Sequence, residues 1–113
     1  MRANEFNNGS VRISNDIIIL ISARATTEVE GVYSLAGMEK NESLKKVHTN
    51  QIKGVEIEID QNSLMINVSI IVLEGYNVNI VAREVQENIT EQIKLMTGLN
   101  VDCVNILVEG LRI

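Results

Sequence analysis

The sequence predicts an α+β domain in which two amphipathic helices pack on one face of a mainly antiparallel sheet, in the order β-α-β-β-β-α-β. Two patterns point to it. Segments 15–29 and 78–96 repeat apolar residues at helical spacing, whereas "GVEIEID" (54–60) and "LMINVSIIVL" (64–73) alternate apolar with polar residues. Length is the third observation. A chain of 113 residues can bury one core without disulfide staples, so a single domain over 9–113 and a flexible polar tail at 1–8 are expected.

Taken in order, "GSVRIS" (9–14) sets Val11 and Ile13 on one side and Arg12 on the other, as a short half-buried strand does. Ser14 is placed to cap the first helix, and Asp16 adds negative charge to its first turn. Ile18, Ile21, Ala25 and Val29 form that helix's apolar stripe, widened by Ile17 and Leu20. Gly31 breaks the helix, after which Val32, Tyr33 and Leu35 form a short strand or an extended connection. The polar stretch from Met38 to Lys53 has weak periodicity and reads as a long loop, or a loop with one helical turn.

The hairpin is the clearest β signal. Val55, Ile57 and Ile59 oppose Glu56, Glu58 and Asp60; "QNS" turns the chain; Leu64, Ile66, Val68, Ile70 and Val72 then oppose Met65, Asn67 and Ser69. Ile71 and Leu73 interrupt the polar face, so that part is expected to be covered or used in a contact. Gly75 marks a turn, and Asn77 or Asn79 caps the second helix. Its stripe is Val78, Val81, Val85, Ile89, Ile93 and Met96, while Arg83, Glu84, Glu87, Asn88, Glu91 and Lys94 face water. Lys94 suits the helix dipole, and Gly98 ends the helix. Val104, Ile106 and Val108 alternate in a last strand. Val101 has the opposite parity, which a bulge or a late strand start near Asp102 and Cys103 would reconcile.

Composition narrows the function classes. Apolar residues make up 45% of the chain but aromatic residues only 3%, which means an aliphatic core and few stacking platforms for bases. Ten basic residues against fifteen acidic give a net charge of −5, and the densest basic cluster is "LKK" at 44–46. Nucleic acid and an unaided anionic membrane surface are therefore not expected partners. The longest apolar run, "IIILI" (17–21), is too short for a bilayer that needs about 20 residues, so direct membrane insertion is not expected either. One cysteine forms no internal disulfide, and "MRANEFNNGS" lacks the apolar segment of a signal peptide, so the reading is cytoplasmic.

Candidate chemistry is sparse. Cys103 and His48 could form a thiol dyad brought together by folding; the plainer reading is a small apolar residue in a strand and a solvated loop histidine. Glu56, Glu58 and Asp60 line up on one strand face, which suits either a hard-cation site or a solvated sheet face. One His and one Cys cannot make a closed zinc site, and no glycine-rich phosphate cradle occurs. The expectation is a non-enzyme with no catalytic, cofactor-binding or metal residues.

A set of short motifs carries more. "GSVRIS", "EVEGVYSLAG", "KGVEIEI", "EGYNVNIVAREVQENI" and "MTGLNVDCVNILVEGL", spread from Gly9 to Gly110, resemble the alkaline shock protein and general stress protein family of Gram-positive bacteria. The most specific pieces are Gly75-Tyr76, Val85-Gln86, Met96-Thr97-Gly98 and Val104-Asn105. The family-motif positions expected to serve structure or interaction are Gly31, Val32, Gly54, Gly75, Tyr76, Val85, Gln86, Thr97, Gly98, Val104 and Asn105. Cys103 occupies a spacer between them. Two departures stand out: "SND" (14–16) lacks the proline common in the family, and the Met38 to Lys53 loop is shorter than in many members.

The resemblance implies a cytoplasmic, non-catalytic protein of cell-envelope homeostasis and alkaline or general stress, acting by self-assembly or through a protein partner. Some relatives are held at the membrane by a separate anchoring protein and form higher assemblies, so a homo-oligomer and an anchoring partner are the expected associations. The alternative expectation is a small-molecule or acyl-binding module that regulates an envelope or lipid enzyme. Gln86 and Asn105 are expected to fix local geometry through hydrogen bonds to backbone, and Tyr76 to be the better contact residue.

Overall fold

A computed structural model describes residues 11–38, 51–61 and 63–113. The expected tail at 1–8, His48 and most of the expected loop at 38–53 lie outside the described residues. From the first helix onward the order is as expected: α1 (Asn15–Thr27), β1 (Val32–Leu35), β2 (Val55–Asp60), β3 (Ser63–Leu73), α2 (Val78–Thr97) and β4 (Cys103–Arg112). The described part of the expected first strand, Val11 to Ser14, makes no strand pairing. Ser14 is extended there because it caps α1, its side-chain oxygen accepting from the Ile17 N–H.

The sheet is organised by its longest strand. The Ser69 N–H donates to the Gly54 C=O at 2.8 Å, and the Ala36 N–H donates to the Ser69 C=O at 2.9 Å. Both backbone groups of one strand residue point to the same side, so β2 and β1 share one edge of β3, end to end, and meet at Ser69. Gly54, with φ +87°, makes that junction possible: a Cβ there would lie 3.0 Å from the Ser69 oxygen and 3.1 Å from the Ala36 oxygen. Both of these pairings are antiparallel. β4 takes the other edge of β3 in parallel, from Met65↔Cys103 to Leu73↔Arg112, because α2 returns the chain in a crossover.

β4 starts at Cys103, the late start that the parity of Val101 required, but the irregularity in its ladder lies further on, where Val108 pairs Ile70 and Gly110 pairs Ile71. Asp102 fastens the entry: its N–H donates to the Leu64 C=O at 2.8 Å, and its carboxylate accepts the Leu64 N–H at 2.6 Å.

Both helices cover one face. Leu64, Ile66, Val68, Ile70 and Val72 of β3 are buried with Ile18, Ile21 and Ala25 of α1 and Val81, Val85, Ile89 and Ile93 of α2. The buried side of α1 differs from its predicted stripe: Ser22, Ala23 and Thr26 are fully enclosed, whereas Ile17, expected to widen the stripe, is 46% exposed in the first turn. Small side chains allow this close approach. Their hydroxyls are satisfied inside the helix, Ser22 donating to the Ile18 C=O and Thr26 to the Ser22 C=O, both at 2.8 Å. Asn88, expected to face water, is half-buried between the helices and donates to the Ala25 C=O at 2.8 Å. Ile52 also differs from the polar reading of its segment and joins the core.

Candidate functional site

Among the described residues, the other face of the sheet carries no helix. Met65, Asn67, Ser69, Ile71 and Leu73 of β3 all point to it and are half-buried. The register brings neighbours beside them: Glu56 and Glu58 on β2, and Cys103, Asn105, Leu107 and Arg112 on β4. Because the burial of β3 alternates without a break along all eleven residues, the face is defined by the strand period itself.

This face has two halves. At the end where β3 begins it is polar: Asn67 lies between Glu56 and Asn105, and the Asn105 Nδ2 donates to the Asn67 Oδ1 at 2.8 Å. At the other end it is apolar. Ile71 and Leu73 lie there, beside Gly110 and Arg112 of β4, with Leu107, 58% exposed, next along β4 opposite Ser69. Tyr33 sits at a register shift in β1, and the Arg112 guanidinium lies 5.3 Å from the centre of its ring, a cation–π contact that closes that end. Ile71 and Leu73, expected to be covered or used in a contact, are half-buried, and no described helix lies over them.

The sequence-derived candidates divide between scaffold and surface. Gly31, with φ +99°, has no room for a side chain, since a Cβ would lie 2.8 Å from a Val81 methyl and 2.9 Å from the Tyr76 ring. Tyr76, expected to be a contact residue, is 41% exposed and lays its ring against that glycine. Val32, Val85 and Val104 are core residues. Gly54 sits at the strand junction described above, and Gly75 follows β3 in the turn toward α2. Thr97 donates to the Ile93 C=O at 2.6 Å and accepts the Leu99 N–H at 3.1 Å, while Gly98 caps α2 in the left-handed conformation. Gln86 is exposed, and its Nε2 donates to the Val104 C=O at 2.9 Å, tying α2 to β4. Asn105 bonds another side chain rather than backbone and lies on the open face.

Cys103 is an exposed thiol whose Sγ donates to the Asn105 Oδ1 at 3.4 Å. Its apolar reading is therefore corrected: the strand period turns it away from the core, onto the uncovered side. Glu56, Glu58 and Asp60 stay strung along β2, and among the described residues no group of three His, Cys, Asp or Glu side chains is placed to hold a metal ion. Sequence reasoning did not single out Tyr33, Leu107 and Arg112. The signal available was the parity of Leu107 with Asn105, opposite to that of Val104 and Ile106.

Comparison with known proteins agrees with the motif reading. The model of the ASP23 family, described as having a cell envelope-related function, matches residues 3–113. Relatives include the uncharacterized proteins YqhY of Bacillus subtilis, 30% identical over 105 residues (92% of this chain and 78% of that protein), and YloU of the same organism, 30% identical over 110 residues (93% and 90%). Spy1614 of Streptococcus pyogenes, also uncharacterized, is 24% identical over 109 residues, 93% of this chain and 89% of that protein. Among solved structures, a MamM-CTD variant superposes with a TM-score of 0.53 at 11% identity, covering 86% of this chain and 98% of that one; the likeness is one of fold.

Proposed function

The chain belongs to the ASP23 family, whose function is cell envelope-related, and we propose that it serves the envelope as a non-enzymatic interaction module, binding a protein partner through the uncovered face of its sheet. The observation that carries this reading is the apolar end of that face, where Tyr33, Ile71 and Leu73 stand together on a side no described element covers. Fully burying one such side chain is worth about 1.5–3 kcal/mol, so even partial cover by a partner gives a useful driving force.

Glu56, Glu58, Asn67 and Asn105 border the apolar end and would supply orientation rather than affinity. No helix among the described residues is long and apolar enough to cross a membrane. In this reading the protein acts in the cytoplasm, and a membrane-anchored partner holds it at the envelope under alkaline or general stress.

The test is an affinity capture of tagged protein after mild cross-linking, with membrane and soluble fractions analysed separately by mass spectrometry. Wild type is expected to recover a membrane-anchored protein that Leu73→Asp does not recover. Equal recovery by both would remove the open face from the account. Fatty acid is the comparison arm, because an open cleft of about 470 Å³, lined by Val11, Ile13, Ile59 and Leu99 but also by Gln61 and Asn100, is where an acyl chain would be tested. A melting shift with fatty acid but no captured partner would move the assignment to acyl binding.

A further inference from the structure

The outer edge of β4 is left unused by the open-face reading. The Asp102 N–H donates to the Leu64 C=O, and β4 continues from there as a regular parallel ladder through Val108. Backbone groups alternate sides along a strand, so Val104, Ile106 and Val108 turn theirs toward β3, while Cys103, Asn105 and Leu107 turn their N–H and C=O groups outward. Among the described residues β4 pairs only with β3.

Free strand edges are normally guarded by charge, proline or shortness. The opposite side of the sheet is guarded, because β2 carries Glu56, Glu58 and Asp60. β4 is ten residues long, and from Cys103 to Val108 it has neither charge nor proline. For a chain of net charge −5, this neutral strand is where a second copy can approach with least repulsion. Asn105 adds self-complementarity. Its bonds to Asn67 and Cys103 occupy one Nδ2 proton and one acceptor position of Oδ1, leaving one donor and one acceptor, which is what a twin amide requires.

We propose that β4 pairs antiparallel with β4 of a second copy, about a two-fold axis through Asn105. Asn105 then faces the copy's Asn105, Cys103 faces the copy's Leu107, and Val104 faces the copy's Ile106. Each outward-turned residue exchanges both its backbone hydrogen bonds with the copy, and the two helix layers lie on the same side of one continuous sheet. The irregularity between Val108 and Gly110 ends the pairing, and the acidic edge of β2 stops further growth, so the assembly closes as a dimer. The proposal deepens the interaction reading by naming one partner, and it uses an edge distinct from the apolar end of the open face.

Sedimentation equilibrium and residue-resolved amide exchange on the full chain test it. Wild type is expected to be a dimer in which the Asn105 and Leu107 amides exchange slowly, and faster on dilution. Asn105→Asp, which keeps the side-chain shape but sets two carboxylates on the axis, is expected to be a monomer with an unchanged circular dichroism spectrum; Leu73→Asp is expected to remain a dimer. A wild type that is monomeric at the concentration of the exchange experiment would overturn the proposal, as would a dimer whose Asn105 and Leu107 amides exchange like those of an open loop. Should Asn105→Asp fail to fold, the wild-type exchange pattern decides alone. A monomeric wild type that still captures its partner would leave the interaction reading without the edge, whereas a wild-type dimer that captures no partner would leave only the edge.

Discussion

On one side of β3, Leu64, Ile66, Val68, Ile70 and Val72 are sealed beneath two helices; on the other, Met65, Asn67, Ser69, Ile71 and Leu73 remain half-exposed. The two sets share one backbone and one ladder, so the difference lies in what covers them. The sealed side contributes its burial to folding. Ile71 and Leu73 on the open side keep part of their hydrophobic driving force available for another molecule, and that is the physical content of calling the face a candidate interface.

Substitutions can break this contrast, and the largest effect belongs to the sealed side. Ile66→Ala is expected to destabilise the fold by about 2–5 kcal/mol in denaturant titration, against roughly 1 kcal/mol or less for Met65→Ala one residue away. Similar losses at both positions would mean that the open side is covered in solution.

Gly31→Ala sharpens the contrast further, because the residue has positive φ and its missing Cβ is the space that the Tyr76 ring and Val81 occupy; about 1–3 kcal/mol should be lost. Gly75 has the same φ of +99° but open space around it, so Gly75→Ala should cost about 1 kcal/mol from backbone strain alone. Thermal melts of the pair separate conformational strain from crowding.

Gln86→Ala removes the bond from α2 to the Val104 carbonyl and should cost about 0.5–1.5 kcal/mol, with no loss of partner capture. At the small end, Leu73→Ser should shift stability by roughly 0.5 kcal/mol while weakening partner capture. A large stability loss there would place Leu73 in the core account instead.

Periodicity made much of this legible. Strict alternation in β3 and helical spacing in α2 identified which residues face inward, because burial follows the geometry of one element at a time; Met96, placed in the α2 stripe by its spacing, is the exception and is 62% exposed in the last turn. Ser14 and Gly98 were legible as caps for the same local reason, and Asn77 proved to be the one of two asparagines that caps α2. Ile71 and Leu73 broke the polar pattern of β3 and lie half-buried on the side away from the helices. Asn88 misled because its exposure depended on a neighbouring helix, and Val11 to Ser14 because alternation over a few residues does not supply a strand to pair with.

The sequence by itself determined the α+β class, the family, the sealed side of β3 and the absence of charge along β4 from Cys103 to Val108. Only the tertiary structure decided that β1 and β2 share one edge of β3 while β4 takes the other in parallel, and that Tyr33, Leu73 and Arg112 gather at one end of a face that no described helix covers. The reason is range. Periodicity and capping act over one or two turns of chain, whereas strand partnership joins residues such as Asn67 and Asn105, 38 positions apart, whose pairing is chosen by how α2 packs and crosses over.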